Sequence, residues 1–260
     1  MRKIVLLSQL LWLSCLCAQT PVIIQKPILW NAEREQLSLD YLKSRHGIVQ
    51  QKAVIKPTMV VVHWTANNSV QATFNTFNPV LLPGRPELTK ASPLNVSSQY
   101  VIDRDGTIYQ FLPDTVFARH TIGLNYCAIG IENIGGDKYP LTEKQLLANE
   151  ALIRQLKSKY PINFVIGHHE YKTFRNTKYW KETNSNYITS KSDPGDDFMI
   201  KLRRRLIDLN LLSLLQDYKK QKGSSYELLF CFCIFSSDFL KCGCFFNHIT
   251  ISSKVFDVIF

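Results

Sequence analysis

The chain has 260 residues, a formal charge of +10 and 45% hydrophobic side chains. That apolar content can build a core and excludes wholesale disorder, and the length suits one ordinary domain with extensions. A basic balance favours polyanionic surfaces, but Lys201, Arg203, Arg204, Arg205, Lys219, Lys220 and Lys222, which supply much of it, lack the motifs and interleaved aromatics of a nucleic-acid binder. No nucleic-acid partner is expected.

Residues 1–18 read as an export signal. Arg2 and Lys3 form a charged start, Ile4 to Leu16 an apolar stretch, and small residues follow up to Ala18. Lipid attachment at Cys15 or Cys17 is a second reading of the same segment. The stretch is shorter than the roughly 20 apolar residues that a membrane span needs. Of seven cysteines, two lie in this leader and four beyond residue 230; only Cys127 is in the body, which is therefore not a disulfide scaffold. The expected location is the periplasm, the cell envelope or the exterior, and the expected state is a monomer.

Residues 19–56 read as a linker followed by a helix. Pro21 and Pro27 mark the linker over 19–31, and Asn31 to Arg45 has helical spacing with Gly47 as a stop. Met59 to Val62 is a continuous apolar run ending at His63, the pattern of a buried strand. Ser69 to Phe77 suits a short helix. Prolines 79, 83, 86 and 93 make 79–97 a loop. Asp105-Gly106 between Gln99–Ile102 and Thr107–Phe111 predicts a β-hairpin. Ala128 to Glu132 is a further strand. Leu141 to Tyr160 is a helix that opens with a Thr142/Gln145 capping box. Asn163 to Gly167 is a strand ending at His168, residues 171–190 are an aromatic-rich polar loop, and Pro194 to Leu215 is a helix with Phe198, Leu202, Leu206 and Leu209 inward. The order predicts an α/β fold: a mixed central β-sheet flanked by helices over 57–215. The tail, 216–260, has no clear period and no assigned role; disorder is one reading of it.

Three segments carry chemistry. Val-Val-Val-His-Trp-Thr (60–65) and Ile-Gly-His-His-Glu (166–170) each place a histidine at a strand end, and Lys-Ser-Asp-Pro-Gly (191–195) places Asp193 in a turn before a helix. Alone, each has an ordinary structural explanation: a core histidine twice, a helix cap once. Together, two imidazoles and a carboxylate can hold Zn2+ and leave a fourth position for a water whose proton is lost near neutral pH. A nearby carboxylate could handle that proton, and a nearby lysine could stabilise developing negative charge.

These segments resemble the zinc-dependent N-acetylmuramoyl-L-alanine amidases of type 2, a family that includes peptidoglycan recognition proteins. The resemblance runs from about Pro57 to Arg205. It includes His-Trp-Thr-Ala from His63, Ile-Gly-His at His168, Asp-Pro-Gly at Asp193, and Val96-Ser97-Ser98-Gln99-Tyr100-Val101-Ile102. It extends to Asp105-Gly106-Thr107 with Gln110, Ala118-Arg119-His120, and Ile129-Gly130-Ile131-Glu132. The resemblance implies zinc ligands His63, His168 and Asp193, a general base Glu132, an oxyanion-stabilising Lys191, and substrate contacts from His120, Trp64 and Ser98. It implies hydrolysis of the amide between N-acetylmuramic acid and L-alanine in peptidoglycan or muropeptides. A non-catalytic peptidoglycan-binding protein, or an amidase confined to soluble anhydro-muropeptides, are the alternatives.

The chain departs from the family pattern at Gln99, where a histidine is usual, at Arg119, where a tryptophan is usual, and in the 25-residue separation of His168 and Asp193. The intervening aromatics could wall a groove or pack on the surface. His169 competes with His168 as ligand; strand alternation favours His168, because neighbours on a strand point to opposite faces.

Overall fold

A computed structural model describes residues 21–212. The segment expected to be an export signal, with Cys15 and Cys17, and residues 213–260, with four cysteines, lie outside the described residues.

Among the described residues six strands form one sheet: β1 (Ile23–Gln25), β2 (Met59–Trp64), β3 (Tyr100–Ile102), β4 (Ile108–Gln110), β5 (Ala128–Asn133) and β6 (Phe164–Gly167). Their order is β1-β4-β3-β5-β2-β6, and β3–β4 is the antiparallel pair in an otherwise parallel sheet. The helices are α1 (Ala32–His46), α2 (Val70–Phe77), the four-residue α3 (Pro86–Thr89), α4 (Glu143–Lys159) and α5 (Asp196–Arg205). The mixed α/β architecture expected from the sequence is what the chain adopts.

The central strands are buried on both faces, which is why they read as unbroken apolar runs. Val60, Val62, Ile129, Ile131 and Val165 face the core built by Leu152, Ile153 and Leu156 of α4 and Met199 and Leu202 of α5. Met59, Val61, Ala128, Phe164 and Ile166 face the other way, against Leu124, Tyr171 and Phe174. Met59 to Val62 are all fully buried. At ~1.5–3 kcal/mol per buried aliphatic side chain, β2 is a principal anchor of the fold.

The helix ends follow local chemistry. Asn31 caps α1 by accepting from Arg34 N at 2.9 Å, and Gly47 closes it in the left-handed region at φ 65°. Thr142 and Gln145 form the expected capping box on α4.

Four expectations are corrected. The linker over 19–31 contains β1, which adds a parallel edge strand beside β4. The proline-rich 79–97 loop contains α3, with Pro86 in its first turn. The 171–190 loop begins inside a 3-10 segment, His168–Phe174, and its aromatics pack inward rather than lying on the surface: Tyr171 and Phe174 are core residues and Tyr179, Trp180 and Tyr187 pack against them. The last helix stops at Arg205 instead of reaching Leu215; a short 3-10 turn, Ile207–Leu209, follows, and Asn210 leaves helical space at φ 49°.

The N-terminal helix is fastened to the 171–190 segment. Arg45 pairs with Glu182 at 2.6 Å, Arg45 stacks over Tyr187 at 4.4 Å, and Thr183 bonds to Ser44 O through its hydroxyl and to Arg45 O through its amide.

Candidate metal centre

The site grows from one rule of strand geometry: side chains two apart share a face. On β2 that series is Met59, Val61, His63; on β5 it is Ala128, Gly130, Glu132. On β6 it is Phe164 and Ile166, with His168 continuing the parity just past the strand. His63 and Glu132 are register partners, and Val62 pairs with Gly167, so three parallel strands deliver their next functional side chains to one carboxyl-terminal edge. Crevices outside that edge are where open α/β sheets bind ligands. Asn133 fixes the edge by donating to His63 O at 3.0 Å, and Asn149 of α4 donates to Asn133 Oδ1 at 2.7 Å.

Asp193 completes the group from the turn before α5. His63 Nδ1 lies 2.9 Å from His168 Nδ1 and 3.2 Å from Asp193 Oδ2, and His168 Nδ1 lies 3.1 Å from the same oxygen. All three residues are buried, and one donor atom from each falls within 4.8 Å of the others. Burial and the neighbouring imidazole push His63 down to about 4; burial also lowers His168. Burial alone would raise the Asp193 carboxyl, but the two imidazoles beside its Oδ2 outweigh it and hold the group below the usual carboxylate range. Two neutral imidazoles and an ionised carboxylate, converging without an intervening side chain, are a donor set that fits a metal ion.

His169 does not join this group. Its backbone N–H and its Nδ1 both bond to Asp193 O, at 2.9 and 3.0 Å, and its Nε2 lies 2.8 Å from Asp196. His169 therefore clamps the backbone of the acidic residue whose carboxylate faces His63 and His168. Sequence reasoning set His169 aside as the losing candidate and missed this positioning contact; a second histidine beside the first was the available signal.

A cavity of about 440 Å³ opens over the group, lined by His63, His168, Asp193, Glu132, Lys191, Trp64, His120 and Arg119 among others. Glu132 is buried at its floor, and among the described residues its Oε2 has no hydrogen-bond partner. Burial, with the nearby Asp193 charge, raises its carboxyl well above the ordinary value, and Lys191 opposes this in part. Lys191 is exposed at the rim. Trp64 is half-buried and separates this cavity from a second depression near Asp196 and Lys201.

The other two expected substrate contacts differ in their surroundings. Ser98 is fully buried and its hydroxyl donates to Tyr100 O at 2.9 Å, so it cannot reach a substrate. His120 lines the cavity, but its ring lies against His63 Nε2 at 3.0 Å. The two single-residue departures from the family pattern, Gln99 and Arg119, have structural work. Gln99 accepts from Gly130 N at 2.7 Å and donates to Val116 O at 2.8 Å. Arg119 is buried and bonds to the carbonyls of Leu88, Ser92 and Leu94 and to the Tyr187 hydroxyl.

Residues 53–196 match the family profile described as N-acetylmuramoyl-L-alanine amidase, more than half of the chain. The chain belongs to the N-acetylmuramoyl-L-alanine amidase family. The match spans all three residues of the buried His-His-Asp group of this amidase-family chain, and Glu132 and Lys191 as well. No curated protein matches the chain. Among solved structures it is similar to the N-acetylmuramoyl-L-alanine amidase LysC from Clostridium intestinale URNW, at 19% identity over 74% of this chain and 100% of that one, with TM-score 0.47. It is similar to a selenomethionine derivative of AmpD at 22% identity over 70% and 93%, TM-score 0.46. It is also similar to peptidoglycan recognition protein-LE in complex with tracheal cytotoxin, at 14% identity over 64% and 90%, TM-score 0.44.

Proposed function

We propose that this protein is a zinc-dependent amidase that hydrolyses the bond between N-acetylmuramic acid and L-alanine in peptidoglycan or muropeptides. The observation that carries the reading is the buried convergence of His63, His168 and Asp193 beneath a cavity that also holds Glu132. A non-catalytic binder would need no buried carboxylate aimed into a metal-competent cavity. The leader sequence favours an exported protein acting at the envelope; lipid attachment at Cys15 or Cys17 is the alternative reading of the same segment.

His63, His168 and Asp193 would hold the ion. Bound there, zinc would supply Lewis acidity where the amide carbonyl and the attacking water meet. Glu132 takes the water's proton as the carbon–oxygen bond forms. Its raised affinity for protons suits it to hold that proton and pass it to the departing amide nitrogen as the carbon–nitrogen bond breaks. Lys191 sets a positive charge at the cavity rim, where the carbonyl oxygen turns negative. Trp64 gives the substrate an apolar wall.

The test is release of stem peptide from purified muropeptides, with metal content measured on the same samples. Wild type should release peptide and carry about one zinc per chain. Glu132→Gln should keep the zinc and lose activity about 10²–10⁴-fold, and His168→Ala should lose both. Full activity in either variant overturns the assignment.

A further inference from the structure

Behind His63, away from the metal-facing group, a second imidazole stands in line. His63 Nε2 lies 3.0 Å from His120 Nδ1, and His120 Nε2 lies 3.2 Å from the backbone carbonyl of Ala128. A carbonyl oxygen can only accept, so the proton of that outer bond belongs to His120 Nε2. A neutral imidazole carries one N–H, which leaves His120 Nδ1 bare. The Thr121 hydroxyl, 2.9 Å from that same nitrogen, shares that lone pair and does not require a proton on Nδ1. His63 must then present its proton at Nε2, and its lone pair at Nδ1 points toward His168 and Asp193. The room for this arrangement comes from Gly130: a Cβ there would fall 3.0 Å from His120 Cγ and Cδ2.

We propose that His120 is a positioning residue for the metal centre, donating its Nε2 proton to the Ala128 carbonyl and thereby holding His63 in the ring orientation and tautomer that ligation through Nδ1 requires. Ligating histidines commonly have their second ring nitrogen held by a carboxylate, carbonyl or water; here a neutral imidazole serves. The inference rests on the zinc reading above. It replaces a substrate-contact role for His120 with one that acts through His63. It also explains why Gly130 occupies the site-facing series of β5, where a larger side chain would otherwise fill the floor.

The test is zinc affinity, measured by competition with a chromogenic chelator on the full chain, for wild type and for His120→Ala, His120→Leu and His120→Asn. Thermal unfolding of each metal-free variant is measured alongside. Asparagine places an amide oxygen near the position of Nδ1 and can accept from His63. Alanine and leucine cannot accept, and leucine keeps most of the volume. The expected result is zinc binding weakened by about 10–100-fold in the alanine and leucine variants and restored to within a few-fold of wild type by asparagine. Affinity in His120→Leu within about two-fold of wild type overturns the proposal. So does an asparagine variant as weak as leucine when both unfold at similar temperatures. If wild type itself binds no zinc while His168→Ala behaves identically, the metal reading has failed, which is a different outcome from a metal site indifferent to His120.

Discussion

His63 and Glu132 are register partners on adjacent parallel strands, so the backbone ladder between β2 and β5 fixes a buried imidazole beside a buried carboxylate. Their spacing is set by that ladder, reinforced by Asn133 on His63 O, and does not depend on loop conformation. A site with this support is expected to tolerate losses at its rim in binding but not in chemistry, and the first prediction turns on that distinction.

Lys191 is exposed and contributes charge to the cavity rather than structure. Lys191→Ala is expected to lower kcat by about 10²–10³-fold, the scale of removing one oxyanion-stabilising donor. Zinc content should stay at the wild-type level. Steady-state kinetics on soluble muropeptides checks this, and an unchanged kcat would show Lys191 to be a solvated charge.

Metal removal should loosen the protein without unfolding it, because the two large core clusters are closed by side chains alone. Stripping zinc with a chelator is expected to lower Tm while far-ultraviolet circular dichroism stays native. Zinc at about 100 times its Kd should restore ~2.7 kcal/mol of stability. Asp193→Ala should show no zinc-dependent shift in Tm; a shift equal to that of wild type would remove Asp193 from the ligand set.

Gln99 holds two buried backbone groups, Gly130 N–H and Val116 C=O. Gln99→Leu leaves both without partners, at about 1–3 kcal/mol each. The expected loss is roughly 2–4 kcal/mol in urea unfolding, with hydrolysis retained at temperatures below the transition. A neutral outcome would mean that the backbone finds other partners.

His46 is buried among Tyr41, Phe117 and Tyr126, and burial lowers it from 6.5 to about 4. The unfolded chain therefore binds one more proton than the folded chain between those two values. Stability from this group is complete above pH 6.5 and is lost as pH falls toward 4, at a slope approaching 1.4 kcal/mol per pH unit. His120, lowered to about 3 by burial and by His63, acts in the same direction. His46→Phe should flatten the acid limb by about one proton in denaturant titrations of the metal-free protein. An unaltered slope would place the uptake elsewhere.

Much of the fold was legible because β2, β5 and α4 are long, locally consistent segments whose apolar runs and caps agree with their burial. Counting by two from Phe164 reaches His168, and the chain keeps that parity into the 3-10 turn, so His168 stands beside His63 and Asp193. What escaped was non-local. β1 is three residues long, and nothing within Ile23–Gln25 announces that β4 will accept it as an edge strand. The inward spacing of Leu206 and Leu209 carries a helical pattern past the point where Asn210 leaves it. Ser98 lies in a stretch whose similarity to family sequences places the strand correctly, but only the packing reveals that its hydroxyl turns to Tyr100 O.

The latch between α1 and the 171–190 segment bears on the ion as well as on the fold. His168 and Asp193 stand 25 positions apart in sequence, and a free ring of that length would resist closure each time a metal entered, by an amount that grows with the logarithm of its length. With Glu182 held by Arg45 and Thr183 by Ser44 and Arg45, and with Tyr171 and Phe174 in the core, the ring is already closed before any ion arrives. The insertion behaves as a strut rather than a tether. A helix outside the strands that carry His63 and His168 thereby helps hold together a site it never touches.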